Sequence, residues 1–530
     1  MNSEHHNSGG LASFSVDAGK SQKPDAASVL DTLPKKPVTR NKYALAISIL
    51  ASMTSVLLGY DTGVMSGATL YIKDDLKISD VQVELLVGTI NIYSLVGSAV
   101  AGRTSDWVGR RYTTVFASVV FFVGAILMGI ATNYVFLMAG RFVAGIGVGY
   151  ALMIAPVYAA EVAPASCRGF LTSFPEVFIN FGVLLGFVSN YAFAKFPLKL
   201  GWRMMLGVGA IPAVFLAIGV IYMPESPRWL VLQGRLGDAR RVLDKTSDSL
   251  EESKLRLADI KEAAGIPEDC NDDFVQVQKH SQGQGVWREL LLHPTKPVLH
   301  ILICGVGIHF FQQGIGIDSV VLYSPRIYDR AGITDTSDKL LATIAVGISK
   351  TFFILITTFY VDRFGRRFLL LVSCAGVALS MFALGTVLTI IDRNPDAKQT
   401  GVLVLVVLLT MVIVGFFSMG LGPIAWVYSS EIFPLKLRAQ GCGLGVAMNR
   451  FMSGVILMSF ISLYKEITIG GSFFLFGGIT TLGWIFFFTL FPETRGRTLE
   501  EMEGLFGTFF KWRTTMKELD AKKRSGTDGA

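Results

Sequence analysis

Charged residues are scarce in this chain. Only 17% of the 530 residues are Asp, Glu, Lys or Arg, whereas 51% are hydrophobic and 38 are Phe. A typical soluble domain carries about 25% charged residues. The charges also occur in clusters, separated by apolar runs long enough to cross ~30 Å of hydrocarbon as a helix. This composition excludes an ordinary soluble protein and predicts a polytopic membrane protein.

Features of several other protein classes are missing as well. Residues 1–40 are polar without an apolar core, so they predict no cleavable signal peptide. The five cysteines fall in predicted spans or on one side of the membrane, which argues against a disulfide framework. The sequence shows no metal-ligand spacing and no nucleophile–base arrangement. We therefore expect no metal, no cofactor, no enzymatic activity and no nucleic-acid partner.

Twelve apolar segments predict an all-α membrane protein built from two six-helix bundles. The predicted spans are 43–66, 82–102, 112–131, 134–157, 170–194, 203–223, 297–325, 340–361, 368–391, 401–428, 439–463 and 471–491. The predicted organisation is a disordered tail at 1–42, a first bundle at 43–223, a helical central loop at 224–296, a second bundle at 297–491 and a tail at 492–530. Lys and Arg crowd the tails and the central loop, which places both termini in the cytoplasm by the positive-inside rule.

Three short motifs occur twice in the same order. They are DWVGRR at 106–111 and DRFGRR at 362–367, EVAPASCR at 161–168 and EIFPLKLR at 431–438, and PESPR at 224–228 and PETRG at 492–496. Such duplication indicates two related bundles that rock against each other.

The repeated motifs place opposite charges beside predicted helix ends. Gly109 and Gly365 permit tight turns, and the arginines that follow can pair with glutamates on neighbouring helices. Ion pairs of this kind would hold the cytoplasmic face in one state and separate in the other. The alternative is that the arginines only anchor the loops at the membrane surface. The predicted gate residues are Asp106, Arg110, Glu161 and Arg168 in the first half, and Asp362, Arg366, Glu431 and Arg438 in the second.

The chain resembles the sugar porter family of the major facilitator superfamily over about residues 43–510. The motifs that carry the resemblance are GRTSDWVGRR at 102–111, GRFVAGIGVG at 140–149, PESPRW at 224–229, QQGIGID at 312–318, GPIAW at 422–426 and PETRG at 492–496. The resemblance implies alternating access and a monosaccharide-type substrate bound between the two bundles.

Asp61 and Arg141 are charges inside predicted spans, each about seven residues from the outer end. Seven residues correspond to ~10 Å of helix rise, so both side chains are expected at similar depth. Ionisable residues at such depth usually pair and usually serve function. We predict that Asp61 is a proton site controlled by Arg141, and the resemblance supports this because proton-coupled sugar porters have an acid here. A permanent interhelical salt bridge is the alternative.

Polar residues in the seventh span point to a ligand rich in hydroxyl groups. Gln312, Gln313 and Asp318 surround Gly314 and Gly316, which can break the helix and redirect side chains towards a cavity. Amides both donate and accept hydrogen bonds, as hydroxyl groups require. The alternative is that the glutamines bond only to neighbouring helices. The resemblance extends the predicted substrate site to Glu176, Asn180, Tyr323, Trp426, Asn449 and Arg450.

Three of these positions depart from the family pattern. Glu176, Asp318 and Arg450 stand where sugar porters usually have uncharged side chains, and in this respect the chain resembles the plant polyol/monosaccharide branch. The charges either bind substrate hydroxyls or pair with one another. We predict a monomeric plasma-membrane symporter that couples protons to linear polyols, cyclitols and monosaccharides. The alternatives are a facilitative or vacuolar monosaccharide carrier and a non-transporting sugar sensor.

Overall fold

The structure is a computed structural model, and it describes most of the chain from residue 41 to residue 494. The described ranges are 41–163, 171, 173–267, 270, 272–275, 288–393, 400–434, 437–494, 505–507, 509, 512–514 and 516. Among the predicted gate residues, Arg168 and the side chains of Asp362 and Arg438 lie outside this description. Every element in the described ranges is helical, which confirms the predicted all-α fold.

Twelve helices in the described ranges are long and apolar enough to cross a membrane, as predicted. They are numbered here as spans 1 to 12: Lys42–Leu76, Asp80–Val108, Arg110–Gly129, Tyr134–Val162, Phe174–Phe193, Leu198–Ile221, Lys296–Leu322, Thr336–Tyr360, Arg366–Arg393, Gly401–Ser429, Gln440–Ile467 and Ile469–Leu490. Spans 1 to 6 are called bundle 1 and spans 7 to 12 bundle 2. The shorter helices between the bundles are Pro227–Leu232, Leu236–Thr246, Leu250–Ala263 and Arg288–Leu292. A further short helix, Ser324–Ala331, lies between spans 7 and 8.

Because successive spans alternate in direction, the ends of the spans define two faces. The terminal face carries the start of span 1, the end of span 12 and the helices between the bundles, and the opposite face is called the distal face.

At the terminal face the central loop contacts bundle 1 through Arg256. Its guanidinium donates to the backbone carbonyls of Glu161, Val162 and Ala163, which end span 4. These carbonyls have no partner within their own helix, so the loop satisfies them.

The repeated motifs of bundle 1 meet in one cluster at the terminal face. Arg110 donates to both carboxylate oxygens of Glu161 at 3.1 and 3.3 Å, and to Asp106 at 3.0 Å. Ser226 donates to Glu161 at 2.5 Å, while Glu225 accepts the backbone N–H of Arg110 at 2.8 Å. Burial raises the pKa of the Glu225 carboxyl above its ordinary value, although the backbone N–H groups of Arg110, Arg111 and Ser226 favour the ionised form.

Bundle 2 repeats this cluster with equivalent residues. Arg366 donates to Glu431 at 2.9 Å, and Thr494 donates to the other oxygen of Glu431 at 2.8 Å. Glu493 accepts the backbone N–H of Arg366 at 3.0 Å, as Glu225 does in bundle 1. The PESPR and PETRG motifs therefore supply the carboxylate that binds the DxxGRR turn, a role that the sequence did not reveal. Within the described residues each cluster joins helices of a single bundle, and the predicted gating role stays a prediction.

Ion pairs between the bundles occur at the distal face. Asp80 at the start of span 2 accepts Lys465 at 2.5 Å, Lys73 at 2.7 Å and Arg326 at 3.2 Å. These four residues are called the distal ion cluster. Arg326 and Lys465 belong to bundle 2, whereas Lys73 and Asp80 belong to bundle 1. The cluster therefore connects the two bundles at this face.

Spans 2 and 11 pack closely beside the distal ion cluster. Glu84, which is 1% exposed, accepts the backbone N–H of Ser462 at 2.8 Å and its hydroxyl at 2.7 Å. One turn further along span 2, a Cβ at Gly88 would lie 2.2 Å from Cγ of Met458. Only glycine allows this approach, so the two spans are in direct contact in this conformation.

We expect Gly109→Ala to destabilise bundle 1. Gly109 has φ = 102°, and a Cβ there would lie 2.4 Å from Oε2 of Glu225. Strain and steric overlap should together lower the free energy of unfolding by ~1–3 kcal/mol. Thermal unfolding of the purified protein in detergent measures this effect. Gly478→Ala is the matched control, because no heavy atom lies within 4 Å of a Cβ at that position.

We expect Asp80→Asn to favour separation of the bundles at the distal face. The variant removes the charge that Arg326 and Lys465 share, so the inter-bundle attraction is lost. Spin labels on the exposed Thr132 and Ser337 should then report a larger population of long distances than in the parent.

The spin-label measurement requires replacement of the native cysteines by alanine. Asp74→Asn is the control, because Asp74 is an exposed acid on the same face and outside the distal ion cluster. Identical distance distributions for Asp80→Asn and the parent would show that the cluster does not hold the bundles together.

Candidate functional site

Asp61 and Arg141 form a direct ion pair inside bundle 1. Nη1 of Arg141 lies 2.7 Å from both carboxylate oxygens of Asp61, and the two residues are 1% and 2% exposed. Arg141 also donates through Nε to the carbonyl of Leu86 at 3.0 Å and through Nη2 to that of Val87 at 3.4 Å. The guanidinium thus connects spans 1, 2 and 4, and the similar depth inferred from the sequence matches this contact.

The Asp61–Arg141 pair lies on the wall of a cavity between the two bundles. Bundle 1 contributes the pair itself and Glu176 of span 5. Bundle 2 contributes side chains from spans 7, 8, 10 and 11. The polar and aromatic side chains that bundle 2 places on the wall are Gln312, Gln313, Asp318, Lys350, Phe417, Trp426 and Arg450. The buried carboxylate of Asp61 and a polar lining therefore share one cavity.

A break in span 7 brings its polar residues to this cavity. The helix ends at Gly314 and restarts at Ile317, and Gly316 has φ = 76°. Gln313 and Asp318 would not share a face of a continuous helix, yet both line the cavity. The glycines therefore act as the sequence predicted.

The two glutamines differ in how fully they are bonded. Gln312 donates to the carbonyl of Gly422 at 2.9 Å and accepts from Asn449 at 2.7 Å. Gln313 donates to Asn449 at 3.4 Å, but its Oε1 has no partner within the described residues. Both polar side-chain atoms of the buried Asn180 also lack a partner there. Buried polar atoms are rarely left unpaired, so these atoms are candidates for bonding to substrate.

Not all predicted substrate residues line the cavity. Asn180 and Asn449 are not among the lining residues, and Asn449 forms hydrogen bonds with both glutamines. Tyr323 is buried at 1% exposure, donates to the carbonyl of Leu457 at 2.9 Å and stacks on Phe460 at 5.3 Å between ring centroids. In this conformation it joins the end of span 7 to span 11, so direct contact with substrate stays a prediction.

Lys350 is the lining residue that the sequence analysis missed. It is 7% exposed, belongs to span 8 and interacts electrostatically with Glu176 and Asp318. A lysine in an apolar span was the signal available, by the same reasoning that singled out Asp61 and Arg141.

Apart from the Asp61–Arg141 pair, the charged residues at the cavity form no ion pairs with one another within the described residues. Arg450 donates to Oδ1 of Asn449 at 2.9 Å and of Asn91 at 3.3 Å, and Asp318 accepts from Ser453 at 2.5 Å. Glu176 lies within electrostatic range of Arg450 and Asp318. No opposite charges among Glu176, Asp318, Lys350 and Arg450 come within 4.0 Å of each other in the described structure. Glu176 belongs to bundle 1, whereas Asp318, Lys350 and Arg450 belong to bundle 2.

Comparison with known sequences identifies close relatives. The chain is 64% identical over 482 residues to Polyol transporter 5 of Arabidopsis thaliana, covering 91% of this chain and 89% of the relative. It is 65% identical over 471 residues to Putative polyol transporter 1 of the same plant, covering 89% and 92%. A bacterial relative, Probable metabolite transport protein CsbC of Bacillus subtilis, is 33% identical over 88% of this chain and 95% of the relative.

Solved structures and a family model agree with these sequences. The proton:xylose symporter XylE bound to 6-bromo-6-deoxy-D-glucose matches with a TM-score of 0.73 and 29% identity, covering 88% of this chain and 99% of that chain. The inward open conformation of XylE from E. coli matches with a TM-score of 0.69 and 28% identity, covering 88% and 100%. The model for "Sugar (and other) transporter" matches residues 47–506. The chain therefore belongs to the sugar transporter family within the major facilitator superfamily, as a multi-pass integral membrane transporter rather than an enzyme.

Proposed function

We propose that this transporter couples proton movement to uptake of linear polyols, cyclitols and monosaccharides by alternating access. The observation that carries the proposal is the shared cavity, in which the Asp61–Arg141 pair and the amides of span 7 line one space. The relatives named as polyol transporters and the structural match to a proton:xylose symporter support it.

The ion pair supplies a route for coupling. A proton on Asp61 would neutralise the carboxylate and weaken its bond to Arg141. The guanidinium would then rest on the carbonyls of Leu86 and Val87 alone, and these belong to span 2, which contacts bundle 2 at the distal face. Protonation is thereby linked to the contact between the bundles.

The lining suits a ligand with several hydroxyl groups. Each hydroxyl donates one hydrogen bond and accepts others, so it can bond to the carboxylates, amides and cations of the wall. The indole of Trp426 borders the same cavity and offers a face for the C–H groups of the ligand.

The proposed setting is the plasma membrane, with the terminal face in the cytoplasm and the protein acting as a monomer. The proton is the only coupling ion in this scheme, and no other cofactor takes part. The basic tails and central loop support this orientation.

Asp61→Asn should abolish proton-driven accumulation of substrate, since an amide cannot take up the transported proton. In voltage-clamped oocytes, addition of sorbitol at acidic external pH should evoke an inward current in the parent and none in the variant. A panel of sorbitol, mannitol, xylitol, inositol and glucose, with and without a protonophore, ranks the substrates.

Asp74→Asn is the matched control, because Asp74 is an exposed acid that also belongs to span 1. If Asp61→Asn kept uphill, pH-driven uptake, the proton site would lie elsewhere. Downhill uptake by the parent without any current would favour a facilitative carrier, and saturable binding without flux would favour a sensor.

Gln313→Ala should weaken substrate binding without removing proton coupling. Loss of one hydrogen bond to a neutral hydroxyl costs about 1 kcal/mol, so the half-saturating concentration should rise roughly five-fold. Initial uptake rates against substrate concentration measure the change. Gln233→Ala, at an exposed position on the terminal face, is the control, and equal shifts in both variants would rule out Gln313 as a substrate contact.

A further inference from the structure

Six ionisable side chains line the cavity, and their formal charges cancel. Three are acids and three are bases. The six are Asp61, Arg141 and Glu176 from bundle 1, and Asp318, Lys350 and Arg450 from bundle 2. Two acids and one base give the wall of bundle 1 a formal charge of −1, and one acid and two bases give the wall of bundle 2 a charge of +1. The two walls therefore attract each other across the space that a ligand would fill.

Four of these charges form no ion pair with an opposite charge in the cavity. Asp61 and Arg141 bond directly to each other, whereas no opposite charges of the other four lie within 4.0 Å of one another in the described structure. A hydroxyl group placed between Glu176 and Lys350 can donate to the carboxylate and accept from the ammonium. A row of hydroxyls would bridge the two walls in this way and leave the charge balance unchanged.

We infer that this charge balance selects uncharged polyhydroxyl compounds, with Glu176 and Lys350 as the residues that set the selectivity. The inference rests on the proposed function and narrows its substrate class. While Asp61 is ionised, a ligand carboxylate or ammonium group would bring a seventh charge into a cavity whose own charges are already compensated. An uncompensated buried charge is strongly unfavourable, so sugar acids and amino polyols are rejected.

Removal of one wall charge should reverse this rejection with a predictable sign. Lys350→Met leaves the cavity at −1 and should admit a cationic amino polyol. Glu176→Gln leaves it at +1 and should admit an anionic sugar acid. The double variant restores neutrality and should reject both. A purely structural role for the two residues would affect all ligands alike, whatever their charge.

The test uses three ligands of nearly equal shape: sorbitol, gluconate and glucamine. At about pH 7.5 the first is neutral, the second an anion and the third a cation. Competition against labelled sorbitol on the purified full-length protein in detergent gives the affinity of each ligand. In the parent, both charged ligands should bind at least ~10-fold more weakly than sorbitol, a difference of about 1.4 kcal/mol.

In Lys350→Met, the affinity for glucamine relative to sorbitol should increase about ten-fold. In Glu176→Gln, the affinity for gluconate relative to sorbitol should increase about ten-fold. The inference would be overturned if the gains in affinity did not depend on the sign of the ligand's charge. Equal affinity of the parent for all three ligands would overturn it as well. If a variant does not fold, Arg450→Gln and Asp318→Asn make the same two charge changes. Failure of the parent to bind any neutral polyol would instead overturn the proposed function, and the inference with it.

Discussion

In the wall of the cavity the carboxylate of Asp61 and the guanidinium of Arg141 lie 2.7 Å apart. Either charge alone would be very unfavourable at this depth, so each makes the other tolerable. Because Arg141 also donates to Leu86 and Val87, one guanidinium determines how three spans meet. Few other contacts in the described structure combine burial, opposite charge and backbone partners in this way. In the proposed mechanism, a change in protonation at this point acts on helix positions as well as on charge.

The two faces of the protein differ in the contacts that they make. At the terminal face, the clusters around Glu161 and Glu431 consolidate each bundle separately. At the distal face, Asp80 and Glu84 bond to residues of the other bundle. Rocking of two rigid bodies requires strong contacts within each body and exchangeable ones between them. The described charged and hydrogen-bonded contacts follow this division.

Much of this architecture was accessible from the sequence. Apolar segments of the right length predicted the spans, and equal depth predicted that Asp61 could meet Arg141, since depth follows from residue count. The sequence did not reveal the rotation of each helix or the approach of one bundle to the other. For that reason Lys350 was overlooked, and the contact of Asp80 with bundle 2 was not foreseen. Pairing across more than 300 residues, as between Asp80 and Lys465, depends on packing that no local pattern encodes.

The position of each charge along the chain has a consequence for synthesis and membrane insertion. The carboxylate partners described for Arg110 and Arg141 all occur within bundle 1, so these charges can be neutralised before bundle 2 has been made. Glu176 differs, because the cations that face it, Lys350 and Arg450, are translated much later. Until then its carboxyl group must stay hydrated or protonated in the nascent bundle. The residue proposed to determine ligand selectivity thus meets its counter-charges only after bundle 2 has been made.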